Sequence, residues 1–148
     1  MAITLAQMNS AIESTLATAT GLTFTQDFDE LSEGINDTPL LQVYWEDTNT
    51  DPASGTSMTS FAGRVRQTSL TFFGDLYARQ RSHMAEDMAA LYPLIDAIQV
   101  VLEAQDTAPY FGLDGIKALE SWSARRIVFE YGGSRYVGGR FIIKLRVF

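Results

Sequence analysis

Between Ser82 and Gln105, the residues Met84, Met88, Leu91, Ile95, Ile98 and Leu102 recur at alternating steps of four and three, the spacing that places side chains on one face of an α-helix. No other segment is both this long and this periodic. Asp87, Asp96, Gln99 and Glu103 fall off the stripe, so the helix is expected to be amphipathic and to lie on an apolar layer. Pro93 removes one backbone donor and crowds the preceding turn. The stripe nevertheless keeps its phase from Leu91 to Ile95, which predicts one kinked helix with Ser82 as its N-cap.

The layer beneath it has to come from strands. Leu40 to Trp45 alternates Leu41, Val43 and Trp45 against Leu40, Gln42 and Tyr44, and a second strand is expected over Gly63 to Tyr77, with Arg64, Arg66 and Thr68 leading into Leu70, Phe72, Phe73, Leu76 and Tyr77. Between them, Asp47 to Ser60 is polar and punctuated by Pro52 and Gly55, which predicts a long loop. Arg79 to Arg81 is expected to turn the chain into the helix. Residues 116 to 124 fit a helical turn through Ile116, Leu119 and Trp122 or a strand through Ile116, Ala118, Glu120 and Trp122, and a strand continuing to Tyr131 is favoured. Gly132-Gly133 signals a hairpin, and the glycine-rich run to Gly139 suggests a flexible lead into a last strand, Arg140 to Phe148. That strand places Phe141, Ile143, Leu145 and Val147 on one face and Arg140, Lys144 and Arg146 on the other.

Upstream, Thr4 and Gln7 form a capping-box pair for a first helix with the stripe Leu5, Met8, Ile12, Leu16 and Ala19, ended by Gly21. Its Ser and Thr content gives it poor intrinsic propensity, so its stability must come from packing. Residues 22 to 39 read as an acidic connection with a short strand near Leu22 to Phe24. The sum is a single α+β domain over residues 1–148, with a mainly antiparallel or mixed sheet of four to five strands and two α-helices packed on it.

Charge is divided along the chain. The net charge is −7, yet residues 1 to 63 hold nine acidic side chains and no Lys or Arg, while all 11 cations follow with the other nine acids. The two parts therefore carry −9 and +2, a division that suits complementary faces on neighbouring copies. There is no cysteine, hence no disulfide framework and no thiolate chemistry. The first residues lack a cationic stretch followed by an apolar run, and no membrane-spanning stretch occurs, so neither export by a standard signal nor membrane association is expected.

Catalytic and metal chemistry find little to work with. His83 is the single histidine and no G-x-S-x-G elbow accompanies it. Asp47, Asn49 and Asp51 begin like a calcium loop, but Pro52 stands where glycine is needed and Met58 where a bidentate glutamate belongs. The run from Gly132 to Gly139 lacks the G-K-[ST] ending of a phosphate loop, and Glu86-Asp87 suits the surface of a helix N-terminus. No catalytic residue, metal site or cofactor is expected. The cations Arg64, Arg66, Arg79, Arg81, Arg125, Arg126, Arg140, Lys144 and Arg146 raise the question of nucleic acid, but the acidic total argues against a strong phosphate grip.

The order of these elements resembles that of the tail terminator, or neck, proteins of tailed bacteriophages. The likeness spans residues 40 to 148: Leu76-Tyr77 with basic residues after it, the helix with Pro93, then Arg126-Ile-Val-Phe-Glu-Tyr-Gly-Gly and Tyr136-Val-Gly-Gly-Arg-Phe-Ile-Ile-Lys-Leu. It is a likeness of pattern without a short diagnostic motif. It implies a small α+β subunit of a six-fold ring that caps the tail tube, ends tube growth and joins the capsid connector, in a virion assembled in the host cytoplasm. Partners would be other copies, the tail tube protein, a connector or head-completion protein, and the sheath if the tail is contractile, with double-stranded DNA only passing through. In that setting Arg64, Arg66, Arg126, Arg140, Lys144 and Arg146 are candidates for the subunit interface. Asp47, Asn49, Asp51, Ser54, Gly55 and Thr56 are candidates for a loop that orders on assembly, and Asp27, Asp29, Glu30 and Glu33 for an acidic lumen or partner face. A head-completion or other minor tail protein is the alternative within this class, and a small-molecule or nucleic-acid binding module the alternative outside it.

Overall fold

The computed structural model describes residues 4–22, 24–26, 39–51, 59–60, 63–64, 67–81, 84–131 and 133–147. Its elements in chain order are α1 (Leu5–Leu16), β1 (Phe24–Gln26), β2 (Leu40–Asp51), β3 (Thr59–Ser60), β4 (Gly63–Arg64), β5 (Gln67–Gln80), α2 (Met84–Glu103), β6 (Ile116–Tyr131) and β7 (Ser134–Val147). One sheet runs in the order β1-β2-β5-β7-β6, and β3 with β4 forms a separate two-stranded ribbon. The long strands β2, β5, β7 and β6 pair antiparallel, whereas the short β1 lies parallel to Leu40–Gln42 of β2. The fold is α+β, as the sequence pattern predicts.

Both helices pack on the same sheet face. Leu91, Leu94, Ile98 and Leu102 of α2 and Met8, Ile12 and Leu16 of α1 are buried in one cluster with Leu41, Val43, Phe72, Leu76, Phe141, Ile143 and Leu145. At about 1.5–3 kcal/mol for each large side chain fully removed from water, this cluster is the principal source of stability. The second face of the sheet carries its own smaller cluster of Leu40, Tyr77, Phe129 and Tyr136, in which the Tyr77 and Phe129 rings stack with centroids 4.4 Å apart. Alternation in the strands produces this division, since Leu41 and Val43 point one way and Leu40 and Gln42 the other.

Several sequence expectations need adjustment. Thr4 and Gln7 do form the capping box, with the Thr4 hydroxyl accepting from the Gln7 amide at 3.1 Å and the Gln7 side chain accepting from the Thr4 amide at 2.9 Å. The helix stops at Leu16, however, before Gly21, and Leu5 is exposed, outside the stripe. α2 continues through Pro93 to Glu103 as a single helix, with Leu94 added to the expected buried positions. Ser82 lies outside the described residues.

β2 is longer than the pattern suggested. Asp47, Asn49 and Asp51 lie in the strand and not in a loop, because each is paired across to β5: Asp47 with Thr71, Asn49 with Ser69 and Asp51 with Gln67. Cross-strand backbone bonding overrides the turn preference of these residue types, as context commonly does in sheets. β5 likewise continues through Arg79 and Gln80, residues expected to turn the chain. β7 begins at Ser134, six residues ahead of the expected Arg140, so the glycine-rich run is strand and not a flexible lead. Tyr131 pairs with Ser134 to close the expected hairpin, with Gly133 at φ +79° in its turn. Gly138 and Gly139 are buried in the sheet, where a Cβ on Gly138 would collide with the Leu76 carbonyl and one on Gly139 would sit 2.8 Å from Ile95 Cδ1.

Candidate functional site

On the helix-free face, three strands converge on one polar cluster. Asp75 of β5, Tyr44 of β2 and Arg140 of β7 are brought together by register, since Asp75 stands opposite both Gln42 and Arg140. The Arg140 guanidinium donates through Nε to Asp75 Oδ1 at 2.8 Å and through Nη2 to Oδ2 at 3.3 Å, a two-pronged clasp. The Tyr44 hydroxyl donates to Asp75 Oδ2 at 2.7 Å and accepts from Arg140 Nη2 at 3.4 Å. Phe73 and Phe129 flank the guanidinium, with ring centroids 4.6 and 5.9 Å from its carbon, distances at which a cation gains from the ring faces.

The electrostatics favour structure over chemistry. Burial, then the hydrogen bond to Asp75, pushes the Tyr44 phenol well above its ordinary value, so it remains a donor at neutral pH. The Asp75 hydrogen bond outweighs burial at Arg140 and raises it further, which fixes its charge. Neither group is poised for proton transfer near pH 7. Gln42, almost fully buried beside them, leaves its Nε2 without a hydrogen-bond partner among the described residues. The cluster locks β2, β5 and β7 in register, because a one-residue slip would separate all three partners.

Arg140 is thus occupied within its own subunit, although the sequence marks it as a candidate interface residue. Lys144 and Arg146 lie on the same face, as the alternation predicts. Lys144 is exposed beside a groove of about 490 Å³ that it shares with Glu46, Asp47 and Glu120. Arg146 is half-buried, and its Nε has no hydrogen-bond partner among the described residues. Arg126 projects from β6 to the helix side, exposed, with a guanidinium nitrogen 3.8 Å from Met88 sulfur. These cations therefore do not form one patch: Arg126 is separated from the other three by the sheet itself. Arg64 falls in β4, while Arg66, Ser54, Gly55, Thr56, Asp27, Asp29, Glu30, Glu33 and His83 lie outside the described residues.

A second ion pair, with a buried carboxylate, was not legible. Asp87 is 2% exposed and its Oδ1 is 3.3 Å from Arg79 Nε, so it belongs to the packed side of α2 and not to the helix surface as expected. The signal for Asp75 was present but unread: a carboxylate in the middle of an apolar strand needs a buried partner. Among the described residues, no group of three His, Cys, Asp or Glu side chains could hold a metal, and no helix is long and apolar enough to cross a membrane.

No protein-family model matches the chain. No curated protein matches it in sequence either. The functional reading therefore rests on the residues and their arrangement.

Proposed function

We propose that this chain is a structural virion protein of the tail terminator type. It forms a ring on the end of a phage tail tube, ends tube polymerisation and joins the tail to the capsid connector, with DNA passing through the ring. The observation that carries the reading is the arrangement of the segment that bears the resemblance: residues 40 to 147 supply the long strands and α2, with both helices on one sheet face and none, among the described residues, on the other. A subunit built this way can turn its sheet toward a lumen and its helices outward, or the reverse, without losing its core. The division of charge along the chain supports head-to-tail contacts, in which unlike patches meet around a rotation axis.

The test is native mass measurement with negative-stain imaging of the purified chain, alone and with the tail-tube protein of the same virus. A ring with a central hole is the expected result. A monomer under both conditions, or a closed two-fold dimer, refutes the proposal.

A further inference from the structure

The two ends of the sheet are open, and their charges are opposite. At one end, β6 is the terminal strand of the sheet and carries the exposed Arg125 and Arg126. At the other, β1 covers only Leu40–Gln42 of β2, and α1 closes the next carbonyl through Asn9 Nδ2, which donates to Val43 O at 3.1 Å. Beyond Val43, the outer edge of β2 has no strand partner among the described residues, and Trp45, Glu46, Asp47 and Thr48 are exposed. Arg125, Arg126, Glu46 and Asp47 make no ion pair among the described residues. Lys144 shares a groove with Glu46 and Asp47 of β2 and with Glu120 of β6, and one ammonium against the two β2 carboxylates leaves an acidic surplus at that end.

Each open end also exposes one large apolar side chain, Trp45 at 46% and Val128 at 43%. Isolated exposed apolar residues are ordinary; here they sit at opposite sheet ends and share the helix-side face. Strand direction completes the match. β2, β5, β7 and β6 alternate in direction, so β6 runs opposite to β2. A second copy rotated about an axis inclined to the strands keeps their sense while stepping along them, the stagger that a closed sheet requires, so its β2 meets the first copy's β6 antiparallel, the more stable pairing. Unpaired sheet edges are templates for this kind of addition.

We infer that β6 of one copy pairs antiparallel with the outer edge of β2 of the next, joining subunits head to tail in a continuous sheet. Trp122 is the β6 residue in Trp45's own row, so setting Trp45 against Val128 steps one copy six residues along the strand, and it puts Asp47, with Glu46 beside it, within two residues of Arg125 of the next subunit on the helix-free face once the bulge between Trp45 and Asp47 is counted. The pairing deepens the ring reading and rests on it for closure.

Cysteine cross-linking tests it, since the chain has no cysteine of its own. Trp45→Cys and Val128→Cys are made singly and together, checked for folding by circular dichroism, and oxidised alone and with tail-tube protein. Within one subunit the two positions are three strand spacings apart across the sheet, about 14 Å before the offset along the strands is added, too far for a disulfide. The double variant should give a ladder of covalent oligomers, and each single variant none. Arg125→Glu should weaken association about fivefold, and adding Asp47→Lys to the same chain should restore it, because every junction then has both reversals. A covalent dimer from Val128→Cys alone overturns the inference in favour of a two-fold pairing of β6. Rings without a ladder overturn it and leave the ring reading standing; a ladder that builds open filaments and no rings keeps the pairing and removes the ring. A chain that neither associates nor cross-links overturns both.

Discussion

Arg140→Leu strands a carboxylate. Asp75 is 4% exposed and Arg140 is the cation that clasps both its oxygens. Removing one partner of a buried pair costs about 3–5 kcal/mol, and the surviving Tyr44 hydroxyl offsets about 1 kcal/mol of that, so the net loss should be about 3 kcal/mol. The reciprocal change is milder. In Asp75→Leu the Arg140 side chain, 28% exposed against 5% for Asp75, can reach water and stay on the Phe73 ring, so about 1–2 kcal/mol is expected. Urea unfolding followed by circular dichroism, at one fixed low protein concentration, measures both. With a slope of about 2 kcal/mol per molar, the midpoint should fall by about 1.5 M for Arg140→Leu and by less than about 1 M for Asp75→Leu. The double variant should lose less than the sum of the two, since neither charge is left alone. An Arg140→Leu shift under about 0.5 M, or a larger shift for Asp75→Leu, would refute the view that the buried carboxylate sets the cost. Arg140 is consequently a poor reporter of assembly, because reversing its charge acts on the fold. Lys144→Glu, at an exposed position of the same strand, tests the face cleanly.

Three further outcomes follow from the packing. Gly138→Ala drives a Cβ into the backbone of Leu76 and should lower stability by about 3 kcal/mol or prevent folding, whereas Gly74→Ala, whose Cβ meets only side chains at 3.7–3.8 Å, should change the urea midpoint little. Ile98→Asp buries an unpaired charge at a fully enclosed position and should leave no cooperative melt, while Glu103→Ala, exposed at the end of α2, should melt normally. The raised Tyr44 phenol contributes stability that is present below about pH 10 and lost as the pH climbs past it. Tyr44→Phe should therefore show a smaller fall in melting temperature between pH 9 and 11 than the parent; an identical fall contradicts the assignment.

Helical periodicity and the capping box were legible because each is local: Met88 to Leu102 repeats within a few turns, and Thr4 with Gln7 closes in four residues. The last strand's two faces were legible for the same reason. What escaped the sequence is what distant partners decide. Asp47 to Asp51 is rich in turn-forming residue types and becomes strand only because Gln67 to Thr71 lies alongside. Gly138 and Gly139 look like a loop until the Leu76 carbonyl and Ile95 are brought against them. The Tyr44–Asp75–Arg140 cluster joins positions up to 96 residues apart, and Arg140 looked like surface because its partner sits in another strand. Charge count revealed the division between the two parts of the chain but not its spatial order, in which Arg125 and Arg126 stand at the opposite sheet end from Glu46 and Asp47.

The strand order has a consequence for synthesis on the ribosome. β5 is central, but its inner neighbour β7 is made last among the described elements, and the Asp75–Arg140 contact spans 65 residues. Until residues 134 to 147 emerge, β2 and β5 form an incomplete ribbon, with the backbone edge of β5 that β7 later takes left open. Folding is then governed by long-range closure, which is slow compared with local pairing, and the waiting edge is a site for association between unfinished chains. Stalling translation before residue 134 should therefore yield chaperone-bound or aggregating chains, whereas release of chains that include β7 permits closure in one step.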